Sequence, residues 1–157
     1  MIFEQGVYRL DVDVERTRAF YEAKLVGDGC DCAGCRNFGA LRDRMPEHFT
    51  GFLRQFGIDP MKPAEMSAVY APEKEYVLYD GWYHVCGIVL NSEAVWYQIE
   101  DTEKKKEQCE WGNLDAGSMM VYIEEKRDLL SAGFPEPVIQ VNVMCVLPWV
   151  LDEENPY

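Results

Sequence analysis

Histidine is scarce in this chain, with only His48 and His84 among 157 residues. Neither stands in a Ser-His-Asp or Cys-His pattern legible from sequence, so no histidine-based nucleophilic catalysis is indicated. His84 lies on a predicted strand and reads as a satisfied strand histidine; His48 reads as exposed. Positive charge is also short, with 15 lysines and arginines against 28 aspartates and glutamates, for a net charge of −13. That balance argues against nucleic acid or an anionic membrane as the main partner, since both need cationic patches to release counterions. No apolar stretch approaches the roughly 20 residues that span a bilayer. GxGxxG, P-loop and HExxH motifs are missing, which removes the commonest dinucleotide, nucleotide and metalloprotease sites. No internal repeat or low-complexity linker interrupts the chain, so a single domain over residues 1–157 is expected.

What is present suits a globular fold: 48% hydrophobic and 13% aromatic residues, more than disordered chains carry. The opening Met1-Ile2-Phe3-Glu4-Gln5-Gly6 has no basic or apolar signal region, which predicts a cytoplasmic address where thiols stay reduced. For the six cysteines, metal or plain packing is then a better reading than a disulfide framework.

Val7–Val12 reads as a short strand, and Asp13 as the N-cap of a helix carrying Val14, Thr17, Tyr21 and Leu25 on one side. A second helix is expected from about Ala33, with Cys35, Phe38, Leu41 and Met45 in register. Pro46 suits the first turn of a third, in which Phe49, Phe52, Leu53 and Phe56 form an amphipathic stripe. Gly57, Ile58 and Pro60 supply its stop. The period then changes. Met66–Ala71 and Tyr76–Tyr79 read as strands, and Asp80-Gly81 as a type I′ hairpin turn into a return strand from Trp82 to about Leu90. Ala94–Ile99, Met119–Ile123 and Val138–Leu147 read as further strands, the run around Lys104-Lys105-Lys106 as a solvated tip, and residues 152–157 as frayed. The predicted fold class is α+β, with N-terminal helices packed on one face of a mostly antiparallel sheet.

The densest chemistry is Cys30-Asp31-Cys32-Ala33-Gly34-Cys35. Cys32 and Cys35 have the Cys-x-x-Cys spacing whose tight turn aims two thiolates at one zinc ion, and Cys30 can supply a third. For the fourth ligand Cys86 ranks first, with His84 beside it on the same predicted strand face and Cys109 and His48 behind. The same atoms permit a thiol oxidoreductase, with Cys32 activated at a helix N-terminus and Cys35 resolving. They also permit plain packing, because Cys35 shares a register with Phe38 and Leu41. Cys145, on an apolar strand face, reads as core.

The segment from Cys30 to Phe38, with Gly57-Ile58-Asp59-Pro60 and Leu147-Pro148-Trp149-Val150-Leu151, resembles a family of small uncharacterised bacterial proteins. The resemblance carries no activity or catalytic residue across; it implies only that the cysteine segment belongs to the domain's design. The leading expectation is a non-enzymatic bacterial protein with a structural zinc site at Cys30, Cys32, Cys35 and Cys86. The alternatives are an acidic immunity-type protein that caps a basic toxin by charge complementarity, and the thiol oxidoreductase.

Overall fold

One long strand organises the chain. In the computed structural model, which describes residues 1–26, 29–91, 95–99, 114 and 116–157, strand β4 (Tyr76–Val89) pairs with neighbours on both edges. The remaining elements are β1 (Ile2–Gln5), β2 (Tyr8–Val12), α1 (Val14–Ala23), α2 (Ala33–Ala40), α3 (Glu47–Gln55), β3 (Glu65–Tyr70), β5 (Tyr97–Ile99), β6 (Met119–Glu124) and β7 (Val138–Pro148). The sheet runs β1-β2-β4-β7-β6-β5, with β3 on the β2 side of β4, and every pairing is antiparallel. This is the expected α+β class.

The period-two pattern of the central strands accounts for the core. Val77, Tyr79, Tyr83 and Val85 of β4 lie opposite Leu147, Cys145, Val141 and Ile139 of β7, and all are buried. The other face stays partly open, with Asp80 exposed and Trp82, Tyr122 and Asn142 half-buried. Phe38 of α2 packs its ring 5.6 Å from that of Tyr79. The stripe on α3 is buried as its spacing predicts, and Phe56 contacts both Phe52 and Phe3 edge-on. The helix stops as expected. Gly57 (φ +83°) donates its N–H to Arg54 O and Ile58 donates to Leu53 O, the paired bonds of a Schellman closure.

Helix α1 has a second task. Between β3 and β2 one edge of β4 has no strand partner among the described residues, and the side chains of α1 fill the gap. The Tyr21 hydroxyl accepts from His84 N and donates to His84 O, while Thr17 Oγ1 accepts from Cys86 N. Buried peptide groups that would be left unpaired are thereby satisfied. Asp13 caps the helix as expected, its Oδ1 accepting from Arg16 N at 3.0 Å. Leu25 does not join the buried side: the helix ends at Ala23, and Leu25 is 86% exposed.

Asp80-Gly81 forms no turn. Both residues sit within β4, paired with Met144 and Val143 of β7 and with Ser67 and Met66 of β3. A tight turn is favoured by local chemistry only where no longer ladder competes, and here eleven consecutive pairs to β7 run through the dipeptide. The glycine answers to packing: a Cβ at Gly81 would stand 2.2 Å from Glu65 O. The segment after β7 is packed, not frayed. Asn155 Nδ2 donates to Lys74 O and Tyr76 O, and Trp149 Nε1 donates to Glu153 O. The Lys104–Lys106 run lies outside the described residues. Among the described residues no helix is long and apolar enough to cross a membrane.

Candidate metal centre

The cysteine cluster sits at the start of α2, and backbone geometry draws its sulfurs together. Cys32 is the N-cap residue, extended at ψ 161°, and its Sγ accepts from Cys35 N at 3.5 Å. Cys30 Sγ accepts from Cys32 N at 3.4 Å. A thiol thus replaces the usual Ser or Asp oxygen in satisfying an orphan N–H of the first helical turn. The three Sγ atoms all lie within 4.8 Å of one another, so the group can hold a metal ion. Among the described residues no fourth Cys, His, Asp or Glu joins them.

The turn is held from beneath by a buried polar cluster. Asn37, fully buried, donates through Nδ2 to Tyr79 Oη and Pro148 O, and accepts at Oδ1 from Val150 N. Tyr79 Oη donates in turn to Gly34 O at 2.8 Å. Gly34 has no room for a side chain, since a Cβ there would meet Ala68 Cβ at 2.6 Å and Tyr157 Oη at 2.8 Å. The Tyr157 hydroxyl accepts from Gly34 N at 3.0 Å and points at Cys32 Sγ from 4.0 Å. Arg36 donates to Asp31 O at 2.6 Å and pairs with Glu153, tying the segment after β7 to the cluster.

These contacts divide the thiols by acidity. The N–H of Cys35, followed by the Cys30 thiol, lowers Cys32 from 9.0 to about 7. Burial, then the neighbouring thiols, pushes Cys35 up to about 12. Near neutral pH the exposed Cys32 therefore ionises far more readily than the half-buried Cys35 behind it, which stays protonated. Thiolate is the form that binds metal and attacks electrophiles.

Among the described residues, the sequence-predicted fourth ligands Cys86, His84 and His48 are not brought to this site. Cys86 lies seven residues along β4 from Tyr79, about 23 Å at strand rise. Its thiol is buried against Glu136 O at 3.6 Å, and burial raises its pKa. His84, five residues from Tyr79, is 3% exposed and packs its ring against Phe134, and among the described residues its Nε2 has no hydrogen-bond partner. His48 is half-buried rather than exposed, with Nε2 2.7 Å from Gly117 O. Cys109 lies outside the described residues. Cys145 is buried in the core as expected. From sequence, Asn37, Tyr79 and Tyr157 carry no expected part in the cysteine site. Only Asn37 adjoins the motif, and no local pattern marks a tyrosine 125 residues away as a neighbour of Cys32. No family model, no curated protein and no solved structure matches the chain.

Proposed function

We propose that this protein binds a soft metal ion, Zn²⁺ foremost, through Cys30, Cys32 and Cys35, and that the site is a three-thiolate centre with an exchangeable fourth position. The observation that carries this reading is the convergence of three sulfurs within 4.8 Å, two of them already accepting backbone N–H groups. Zn–S bonds of about 2.3 Å in a tetrahedron require sulfurs about 3.8 Å apart, so closure from within 4.8 Å needs sulfur shifts of only about 1 Å. The N–H donors and Arg36 offset the negative charge that three thiolates bring. With Cys86 remote, the described residues supply three ligands, the number that leaves one position for water or another ligand.

The test is metal content and metal-linked stability. Protein purified without chelator should hold close to one zinc per chain, and Cys→Ser at any of the three positions should abolish retention. Cd²⁺ added to the apoprotein should give thiolate-to-metal charge-transfer absorption scaling with three sulfurs. Absence of both signals would reject the site.

One observation favours a second reading on the same atoms. Cys32 is exposed and acidic while Cys35 stands half-buried behind it, the division of labour of a nucleophilic and a resolving thiol. In that reading Cys32 thiolate attacks a disulfide sulfur, expels one thiolate, and Cys35 then displaces the second while the Cys32–Cys35 disulfide forms. The surrounding sheet is antiparallel throughout, unlike the βαβ setting of thioredoxin-type motifs. Dithiol reactivity that persists in the Cys30→Ser variant, with no metal retained by the parent protein, would favour this reading.

A further inference from the structure

An open cavity of about 430 Å³ adjoins the thiols, and two of them, Cys30 and Cys35, form part of its wall. Its floor is apolar, with Phe38, Met61 and Met66. Its charge runs against that of the molecule. In a chain of net charge −13, Lys24, Arg42 and Lys62 line this one cavity. Lys62 is already engaged, donating to Tyr21 O at 2.6 Å and pairing with Asp59 at 3.5 Å. The cavity's carboxylate, Glu65, turns back on its own strand, its Oε1 accepting from Met66 N and Ser67 Oγ. Among the described residues Lys24 has only long contacts, to the carbonyls of Lys62 and Pro63 at 3.5 and 3.4 Å. Among the described residues neither Lys24 nor Arg42 has a carboxylate within ion-pair distance.

We infer that this cavity takes a small thiol bearing a carboxylate, with its anion at Lys24 and Arg42 and its sulfur as fourth ligand to the metal held by the three cysteines. The inference rests on the metal-binding reading above and names the ligand class of that site. A half-buried ammonium beside a second ammonium is destabilised, as the lowered pKa of Lys24 reflects, through burial first and Lys62 second. An anion placed there relieves that cost. The apolar floor accepts a hydrocarbon body, and the thiols place the metal at the cavity wall. Binding is ligand exchange without redox change: the incoming S–H gives its proton to solvent, a metal–sulfur bond forms, and the metal-bound water leaves.

The experiment uses the full chain loaded with Co²⁺, whose visible absorption reports the number of coordinating thiolates. It is titrated with 4-mercaptobenzoate, whose para carboxylate cannot reach back to the metal, and with the neutral 4-(hydroxymethyl)thiophenol. The carboxylate thiol should bind at least about tenfold more tightly, as charge-assisted contacts to two cations imply. Lys24→Gln with Arg42→Gln should bring the two affinities together while leaving the cobalt spectrum of the ligand-free protein unchanged and its thermal midpoint no lower. Equal affinities in the parent protein, or a preference that survives both substitutions, would overturn the inference and leave the metal site standing. Failure of Co²⁺ to develop thiolate absorption at all would instead overturn the metal reading, and this inference with it.

Discussion

The hydroxyl of Tyr157 stands 4.0 Å from Cys32 Sγ, on a segment that packs back over the first turn of α2. It is the only hydroxyl, among the described residues, that donates to a sulfur of the cluster. Tyr157→Phe removes that donor and the acceptor for Gly34 N. The Cys32 pKa should rise from about 7 but stay below that of Cys35, because the Cys35 N–H remains the principal cause of its depression. Alkylation rate against pH, with Cys30 and Cys35 replaced by serine in both proteins, reads the shift. An unchanged profile would show that the phenol does not act on the thiol.

Asn37 joins α2 to β4, to β7 and to the segment beyond it through three hydrogen bonds, all from a fully buried side chain. Asn37→Leu keeps the branched skeleton with somewhat greater bulk and leaves Val150 N, Pro148 O and Tyr79 Oη short of a partner. The expected loss is about 2–4 kcal/mol, more than one surface hydrogen bond, because unmet buried groups bear the desolvation cost. Urea unfolding measures it, and a loss under about 0.5 kcal/mol would show that water replaces the amide.

Phe56 is fully buried between Phe3 and Phe52. Phe56→Ala should cost about 3–5 kcal/mol, the usual range for an aromatic cavity in a core. Glu22→Ala, on the exposed side of α1, serves as the control and should change stability by under about 0.5 kcal/mol.

Gly81→Val forces apart β3 and β4, because the new Cβ would overlap Glu65 O. A strong destabilisation is expected, above about 2 kcal/mol, with hydrogen exchange quickening first in residues 65–70. Gly39→Ala, where a Cβ meets nothing within 4 Å, should be neutral or mildly stabilising in its helix.

Stability of the reduced, metal-free protein should pass through a maximum near pH 9. Cys32 has a folded pKa below its ordinary value, so its contribution is full above about 9 and is lost as pH falls toward 7. Cys35 has a raised one, so its contribution is full below about 9 and is lost as pH rises toward 12. His84, lowered by burial, removes further stability as the solution becomes more acid than its ordinary 6.5. Thermal midpoints across this range test the signs. Cys32→Ser should flatten the rise between pH 7 and 9, and Cys35→Ser the fall above 9.

Where a segment's fate is local, its residues announce it. The α3 stripe, the Gly57-Ile58 stop, the Asp13 cap and the alternating faces of β6 and β7 are all decided by side chains within a few positions of one another. Asp80-Gly81 shows the limit. Its chemistry is that of a hairpin turn, but an antiparallel partner of eleven residues outweighs one favourable dipeptide. The glycine is needed for a reason that no window around residue 81 contains, the approach of the Glu65 carbonyl.

The candidate site divides the same way. Its three cysteines, their spacing and their place at a helix start are properties of six consecutive residues, and the sequence alone determined them, because the N-cap turn that gathers the sulfurs is built from its own N–H groups. Tertiary structure decided everything that reaches the turn from elsewhere. It set Cys86 about 23 Å along β4, out of range as a ligand. It placed Asn37 and Tyr79 beneath the turn, Tyr157 beside Cys32, and Lys24 and Arg42 around a shared cavity. Those neighbours are separated from the motif along the chain or buried by distant strands, and only the sheet register and the packing of helices on it bring them within a few ångströms.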